Sequence, residues 1–341
     1  MIEIDGSDGE GGGQVLRSSL ALSLLTGKAF HLSNLRARRR PKPGLQPQHL
    51  MSVRAAATIG TAQVRGASLN STDLVFEPGK VQAGTYRFDI RTAGATGLVL
   101  HTLYLPLALQ TKEASELTLV GGTHVRASPS FHFLDHTWRK YLELFGLSVA
   151  LRMVRPGFYP RGGGEVQVVI QPCQRIRPAK LNNRGRVSVR GISAAAGLPE
   201  HVAGRQAQRA ARRLKNASVN AAIVQEIWEG GPGSMLALIA ENGLVPATFV
   251  ALGERGKPAE KVADEAVDEL LQFLAADPAP VDCHSADQIL LPLTLADGPS
   301  RYAVAQVTNH LLTNIAVMKR FLDRDMVCEG EEGGPGHVRI D

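Results

Sequence analysis

The sequence predicts an α+β protein rather than a doubly wound sheet, and three observations carry that prediction. Strand-like and helix-like patterns alternate along all 341 residues, yet without the sustained strand–helix regularity that builds one parallel sheet. The helical patterns stop at glycines, as at Gly27, Gly60 and Gly146, where a left-handed residue can close a helix. A polar turn at Leu181-Asn182-Asn183-Arg184-Gly185 and the stretch Asp277-Pro278-Ala279-Pro280 bracket a segment of different composition. That segment, 182–277, reads as a smaller α/β domain inserted into a core made of 1–181 and 278–341.

In chain order, Ile2-Glu3-Ile4 reads as a short strand and Gly9–Gly13 as a glycine-rich loop. Gln14–Thr26 and Val53–Ile59 follow as helices, each with a glycine after it. Ser115–Val120 reads as a strand, Phe133–Phe145 as an amphipathic helix and Val166–Ile170 as a strand. Residues 187–275 read β-α-β-β-α, with the last helix starting at Pro258, a favoured first-turn residue. Leu311, Ile315, Met318 and Leu322 recur at helical spacing, so 313–322 is helical. Glycine-rich turns at 11–13, 121–122 and 162–164 hint at a weak internal repeat.

Bulk properties narrow the class. Hydrophobic residues make up 44% and charged residues 21%, ordinary for a globular chain. Three cysteines, Cys173, Cys283 and Cys328, show no zinc spacing and no disulfide framework. That count fits a reducing, cytoplasmic setting. No apolar run is long enough to span a membrane, and Met1–Asp5 lacks the character of a signal peptide. A net charge of +6 mildly favours a polyanionic partner. Arg36, Arg38, Arg39, Arg40 and Lys42 form one basic cluster; Arg205, Arg209, Arg212, Arg213 and Lys215 form another at helical spacing.

Four constellations could carry chemistry. Asp5-Gly6-Ser7-Asp8-Gly9-Glu10-Gly11-Gly12-Gly13-Gln14 runs into a helix that bears Arg17. Glycines let backbone N–H groups approach an anion, Glu10 could hold a divalent metal and Arg17 could grip phosphate. A plain tight turn explains the same residues, and no Walker A lysine follows. Next, prolines 41, 43 and 47 stiffen the basic loop that ends in Gln48-His49. A rigid arginine loop suits an RNA end; a solvated charge run is the alternative. Asp287-Gln288 could read an adenine edge or cap a helix. His310, behind Thr308 and Asn309, opens the periodic helix. The positive helix end should disfavour imidazolium there and leave a neutral nucleophile. A capping histidine without chemistry is the bland alternative.

Taken together, these blocks resemble the RNA 3'-terminal phosphate cyclase family. The matching segments are Asp5-Gly6 through Gly9-Glu10-Gly11-Gly12-Gly13-Gln14 to Arg17-Ser18, Pro43-Gly44-Leu45 to Gln48-His49-Leu50, and Thr92-Ala93-Gly94. Gly157-Phe158-Tyr159-Pro160 to Gly162-Gly163-Gly164, Ala286-Asp287-Gln288 and His310-Leu311-Leu312-Thr313-Asn314-Ile315 follow in the family order. The resemblance implies three repeated α/β units like the C-terminal domain of translation initiation factor 3 and the EPSP synthases, plus the inserted domain. It implies that ATP is a co-substrate, that Mg or Mn serves as metal, and that His310 becomes adenylated. AMP then passes to an RNA 3'-phosphate, and the 2'-hydroxyl closes a 2',3'-cyclic phosphate.

By the same match Glu10 would serve the metal, and Arg17, Arg36, Arg40, Gln48 and His49 the phosphates. His101, Pro129, Phe249 and His284, Ser285, Ala286, Asp287 and Gln288 would contact ATP, with Phe249 and Pro129 around the adenine. His101 stands where the family pattern has glutamine. Competing readings are a non-catalytic, cyclase-like protein of ribosome biogenesis, an enolpyruvyl transferase, and a plain RNA-binding module. His310 in its His-Leu-Leu-Thr-Asn setting argues against the first two, and a plain RNA-binding module leaves the other blocks unexplained.

Overall fold

The computed structural model describes residues 1–37, 41–276 and 279–341. Three of its four sheets share one connectivity. In the first, β1 (Ile2–Asp5), α1 (Gly13–Thr26), β2 (Phe30–Ser33), α2 (Pro47–Ile59), β3 (Gln63–Arg65) and β4 (Leu74–Glu77) form a sheet of order β1-β2-β4-β3. β1 and β2 are parallel, and the other pairs are antiparallel. The second runs β5 (Thr85–Asp89), α3 (Thr96–Gln110), β6 (Ser115–Gly121), a second helical segment, β7 (Val149–Arg155) and β8 (Gly164–Ile170). Its order, β5-β6-β8-β7, and its pairing senses repeat the first.

The second helical segment, expected as one helix over 133–145, is three pieces. α4 (Phe131–Phe133) passes through a π turn at Leu134–Trp138 into α5 (Arg139–Leu144). The wider turn swings Trp138 into the core, where it is 1% exposed.

β9 (Lys180–Leu181) then opens a third sheet that the chain leaves at once. It makes β10 (Ser188–Ala196), α6 (His201–Asn216), β11 (Ala221–Trp228), β12 (Gly233–Glu241), β13 (Ala247–Leu252) and α7 (Ala259–Ala275). These form the fourth sheet, of order β11-β10-β12-β13. Sequence reasoning predicted one strand fewer here. β12 is buried on both faces, so 235–240 is an unbroken apolar run with no alternation to mark it as a strand.

The chain returns through α8 (Leu290–Thr294), β14 (Ser300–Val304), α9 (Asn309–Phe321), β15 (Met326–Glu329) and β16 (Gly336–Ile340). The order β9-β14-β16-β15, again with one parallel and two antiparallel pairs, matches the first two sheets. The glycine turns at 11–13, 121–122 and 162–164 do not mark this recurrence. They precede a first helix, follow a second strand and precede a fourth strand, respectively.

One buried cluster joins the elements of the three like sheets, from Ile4 through Leu105 and Val168 to Ile340. α1 lies at its centre, packed on α2, α3 and α9 and buried on most sides. Residues 188–275 have a cluster of their own, including Leu214, Leu238, Phe249, Val262 and Phe273. The helical basic cluster belongs to this part and is answered by acid. Arg205 pairs with Glu260, Arg209 with Asp264, and Arg213 with Asp264 and Asp268. Those pairs hold α6 along α7 and engage three of the cluster's five basic residues. No helix among the described residues is long and apolar enough to cross a membrane.

Candidate active site

The glycine loop, the starts of α2, α3 and α9, the turn before α8, the loop 125–130 and strand β13 surround one cavity of about 800 Å³. The loop needs its glycines at two places. Gly9 has φ +57°, and a Cβ there would lie 2.4 Å from Thr313 Oγ1. A Cβ on Gly13 would lie 2.3 Å from His49 Nε2. Both approaches are open only to a residue without a side chain. Docked this way, the Glu10 backbone N–H donates to Thr313 Oγ1 at 3.1 Å, tying the loop to α9.

α9 begins on Thr308, whose hydroxyl accepts from the Leu311 N–H at 3.2 Å. His310 therefore stands in the first turn, half-exposed at the cavity. Its Nδ1 lies 2.7 Å from Gln14 Oε1 and 2.8 Å from Glu10 Oε2. Gln14 Nε2 donates to Asp287 Oδ2 at 2.6 Å, which turns the amide oxygen toward the histidine. Nδ1 faces two acceptors, so it carries the hydrogen and Nε2 keeps its lone pair. Asn314 completes the frame: its amide donates to the Asp287 carbonyl at 3.0 Å and accepts from Ser18 Oγ at 2.6 Å.

Electrostatics correct one expectation. The helix end was expected to hold His310 neutral. Instead its pKa is raised, chiefly by the hydrogen bond to Glu10, against the opposing effects of burial and Arg17. A full carboxylate at 2.8 Å outweighs the partial charge of a helix end. Asp287 is pushed up to about 6 by burial, with His310, His284 and Arg17 pulling it back only partly. Arg17 is lowered to about 10 by burial and remains a cation at neutral pH.

Glu10, Arg17, Arg36, Gln48, His49, His101, Pro129, His284, Asp287, Gln288 and His310 all face this cavity. His49 has a structural duty as well. Its Nδ1 accepts from the Gln46 N–H at 3.2 Å within a capping box. Its Nε2 must then carry a hydrogen toward the cavity. Burial, Arg17 and Arg36 lower its pKa to about 3, so it is a neutral donor. Arg36 braces the basic loop through the carbonyls of Lys42 and Gly44 at 3.1 and 3.0 Å. Gln48 Oε1 accepts from the Ala95 N–H at 3.0 Å, joining α2 to the start of α3. His101, held neutral near pKa 3 by burial and Arg17, packs on Trp138, and its buried Nε2 has no hydrogen-bond partner among the described residues. Arg40 lies outside the described residues.

Three of the expected residues do not line the cavity. Phe249 is 2% exposed and packs on Phe273 with ring centroids 5.3 Å apart. Alternation along β13 instead sends Thr248 and Val250 to the cavity. Ser285 and Ala286 are buried behind the wall. Ser285 Oγ donates to Asp282 Oδ2 at 2.6 Å, and the Ala286 carbonyl accepts from Tyr302 Oη at 2.9 Å. Sequence reasoning also missed Gln14 as the histidine's partner, although it closes the glycine block in the first turn of α1. It placed β13 at the site through Phe249 but chose the wrong face of the strand, because nothing local marks which face will meet a distant loop.

A divalent cation has a limited fit here. Among the described residues no group of three His, Cys, Asp or Glu side chains could enclose one. Glu10 can supply one carboxylate, which suffices where a ligand's phosphates provide the other oxygens.

Fold and site together describe an α+β protein with one cavity lined by His310, Arg17 and Arg36. A model of the family RNA 3'-terminal phosphate cyclase matches residues 8–328, and the chain belongs to that family. An RNA 3'-terminal phosphate cyclase from Caldivirga maquilingensis is 44% identical over 96% of this chain and 94% of its own length. One from Methanothermobacter thermautotrophicus is 41% identical over the whole of both chains. One from Salmonella typhimurium is 41% identical over 98% and 97%. The crystal structure of the enolpyruvyl transferase NikO from Streptomyces tendae covers 99% of this chain and 81% of its own at 11% identity, but its TM-score of 0.28 is too low to argue from.

Proposed function

We propose that the protein converts an RNA 3'-terminal phosphate to a 2',3'-cyclic phosphodiester at the expense of ATP, through His310–AMP and RNA-adenylate intermediates. The observation that carries this is the setting of His310: Nδ1 held by Gln14 and Glu10, and Nε2 left for attack in a cavity lined by Arg17, Arg36 and His49. Nε2 attacks the α-phosphorus of ATP, the bond to the bridging oxygen breaks, and pyrophosphate leaves. A terminal phosphate oxygen of the RNA then attacks the same phosphorus and returns His310 to the neutral form. The 2'-hydroxyl finally attacks the activated 3'-phosphorus, the bond to the AMP oxygen breaks, and AMP departs carrying the hydroxyl proton on its phosphate. Activation is needed because a phosphate monoester dianion has no good leaving group, whereas the neighbouring hydroxyl is already in reach.

Arg17, Arg36, Gln48 and the His49 Nε2–H would hold the phosphates and stabilise charge in flight. His101, Pro129, His284, Asp287 and Gln288 would form the nucleotide side, with Ser285 and Ala286 acting only through the turn they build. Glu10 would hold a divalent cation, Mg or Mn, together with the nucleotide's phosphates, and that charge would offset the raised basicity of His310. We further infer that the three like sheets are copies of one unit akin to initiation factor 3 and EPSP synthase. The inserted domain would occupy 182–277. Three unpaired cysteines suit a cytoplasmic setting.

The test is direct. With ATP and Mg or Mn, an RNA ending in a 3'-phosphate should become resistant to phosphatase and yield a 2',3'-cyclic end, with one AMP formed per end. An RNA ending in 3'-OH should be inert. Cyclisation without nucleotide, or none with any, contradicts the reading.

A further inference from the structure

A second buried polar constellation lies beside the cavity, outside the residues given a chemical role above. Thr123 Oγ1 lies 2.8 Å from His124 Nδ1, and His124 Nε2 lies 2.9 Å from His132 Nδ1. The two rings are 1% and 5% exposed. Thr123 Oγ1 also accepts from the Gly157 N–H at 2.9 Å. Burial lowers the basicity of both histidines, His124 to about 3, so the pair bridges as neutral imidazoles, one donating and one accepting.

The pair closes the base of a loop. Residues 125–130 leave at His124 and return at His132, and the Phe131 N–H donates to the Thr123 carbonyl at 3.0 Å. All six residues of that loop line the cavity. On its other side the pair carries the inserted segment. Trp228 of β11 stacks on His132 at 5.5 Å and 13°, and lies 5.5 Å from His124. Phe158 stacks on His124 at 5.2 Å and is buried among Ala194, Ala196, Met235 and Ala237. The fourth sheet that supplies Trp228 also supplies Thr248, Val250 and Leu252 to the cavity. Among the described residues, Arg126 pairs with Glu254 at 3.1 Å near solvent, and Thr137 Oγ1 donates to Thr248 Oγ1 of β13 at 2.8 Å.

We propose that His124, His132 and Trp228 form a positioning joint that fixes the spacing between loop 125–130 and β13, and so sets the affinity for the nucleotide without touching the reacting atoms. This rests on the reading that the cavity takes ATP. Neutral rings suit such a joint. They satisfy each other in a dry contact where a single polar side chain would be left without a partner, and their flat faces accept the indole. Exposed ion pairs such as Arg126–Glu254 contribute little by themselves, so the spacing rests on buried contacts: the joint and the Thr137–Thr248 hydrogen bond.

The test uses the full-length protein and steady-state cyclisation, varying ATP and RNA separately. His124→Leu removes both hydrogen bonds at similar volume, and His124→Gln can still reach His132 from near the Nε2 position. Trp228→Leu removes the stack, and Trp228→Phe keeps a ring. The leucine variants should raise KM for ATP about tenfold, while KM for RNA and kcat at saturating ATP move less than about threefold. The glutamine and phenylalanine variants should stay within about threefold of wild type in KM for ATP. If His124→Leu fails to fold, Trp228→Leu at the exposed side of the joint carries the same comparison. Unchanged KM for ATP in the leucine variants overturns the joint, as does an equal loss in kcat and both KM values, the mark of a merely structural role. Wild-type protein that neither binds nor uses ATP overturns the nucleotide reading instead, and that control separates the two failures.

Discussion

Asp287→Asn should make the protein more stable at neutral pH while slowing it. The Asp287 pKa rises from an ordinary 3.8 to about 6, chiefly through burial. A native carboxyl with raised pKa binds more protons than the unfolded chain between those values. Stability therefore falls as pH rises from about 4 through 6, and the penalty is fully present above 7. A shift of about two units at about 1.4 kcal/mol each gives an upper limit near 3 kcal/mol. Solvent reaches the edge of this residue, so about 1–2 kcal/mol is the working expectation. Asparagine keeps an oxygen that can accept from Gln14 Nε2, so the frame around His310 survives. Urea denaturation of both proteins at pH 8 and pH 4 measures the effect: a gain for the variant at pH 8 that shrinks to nearly nothing at pH 4. A gain of equal size at both pH values, or a loss at pH 8, would refute the claim that the ionised carboxylate is held there at a cost. Buried charge kept against stability is what a functional site accepts.

Three further outcomes follow from the same geometry. Gln14→Met removes one of the two acceptors on His310 Nδ1 but leaves Glu10; protein–AMP formation at saturating ATP should slow about tenfold, some 1.4 kcal/mol, in rapid-quench measurements, and an unchanged rate would free Gln14 of its orienting role. Glu10→Gln removes the main cause of the raised His310 pKa, so an NMR titration should place that imidazole lower than in wild type and more of it neutral near pH 7; a value that does not move shows another group sets it. Brief proteolysis should cut first near Asn182–Gly185, where the chain has no regular structure on leaving β9, and a first cut inside residues 188–275 would contradict the inserted-domain boundary.

Local signals were legible where the chemistry is local. Gly27 was expected to end α1 and does so with φ 71°. The periodicity around Leu311 and Met318 placed α9, and the glycine block placed the loop that docks on it. The candidate site was legible to the extent that its residues sit in short blocks. What the sequence hid depends on distant partners. The Phe249 side chain turns away from the cavity because β13 alternates and its opposite face packs on α7, a choice fixed by the tertiary position of the sheet. The basic character of α6 was visible, but its neutralisation depends on how α7 lies along it. The pKa of His310 was expected from its own helix, whereas a carboxylate 300 residues earlier decides it. The strand count of residues 188–275 was not legible, since a doubly buried strand has no period to read.

The central claim is that His310 carries AMP. Wild-type protein incubated with α-labelled ATP and Mg or Mn, without RNA, should acquire an acid-labile label. His310→Ala should acquire none while keeping its circular dichroism spectrum and melting behaviour. His310→Asn should fail equally, because an amide nitrogen can sit at the helix start but cannot act as a nucleophile. Label retained on the alanine variant would contradict the account and assign the nucleotide to another side chain.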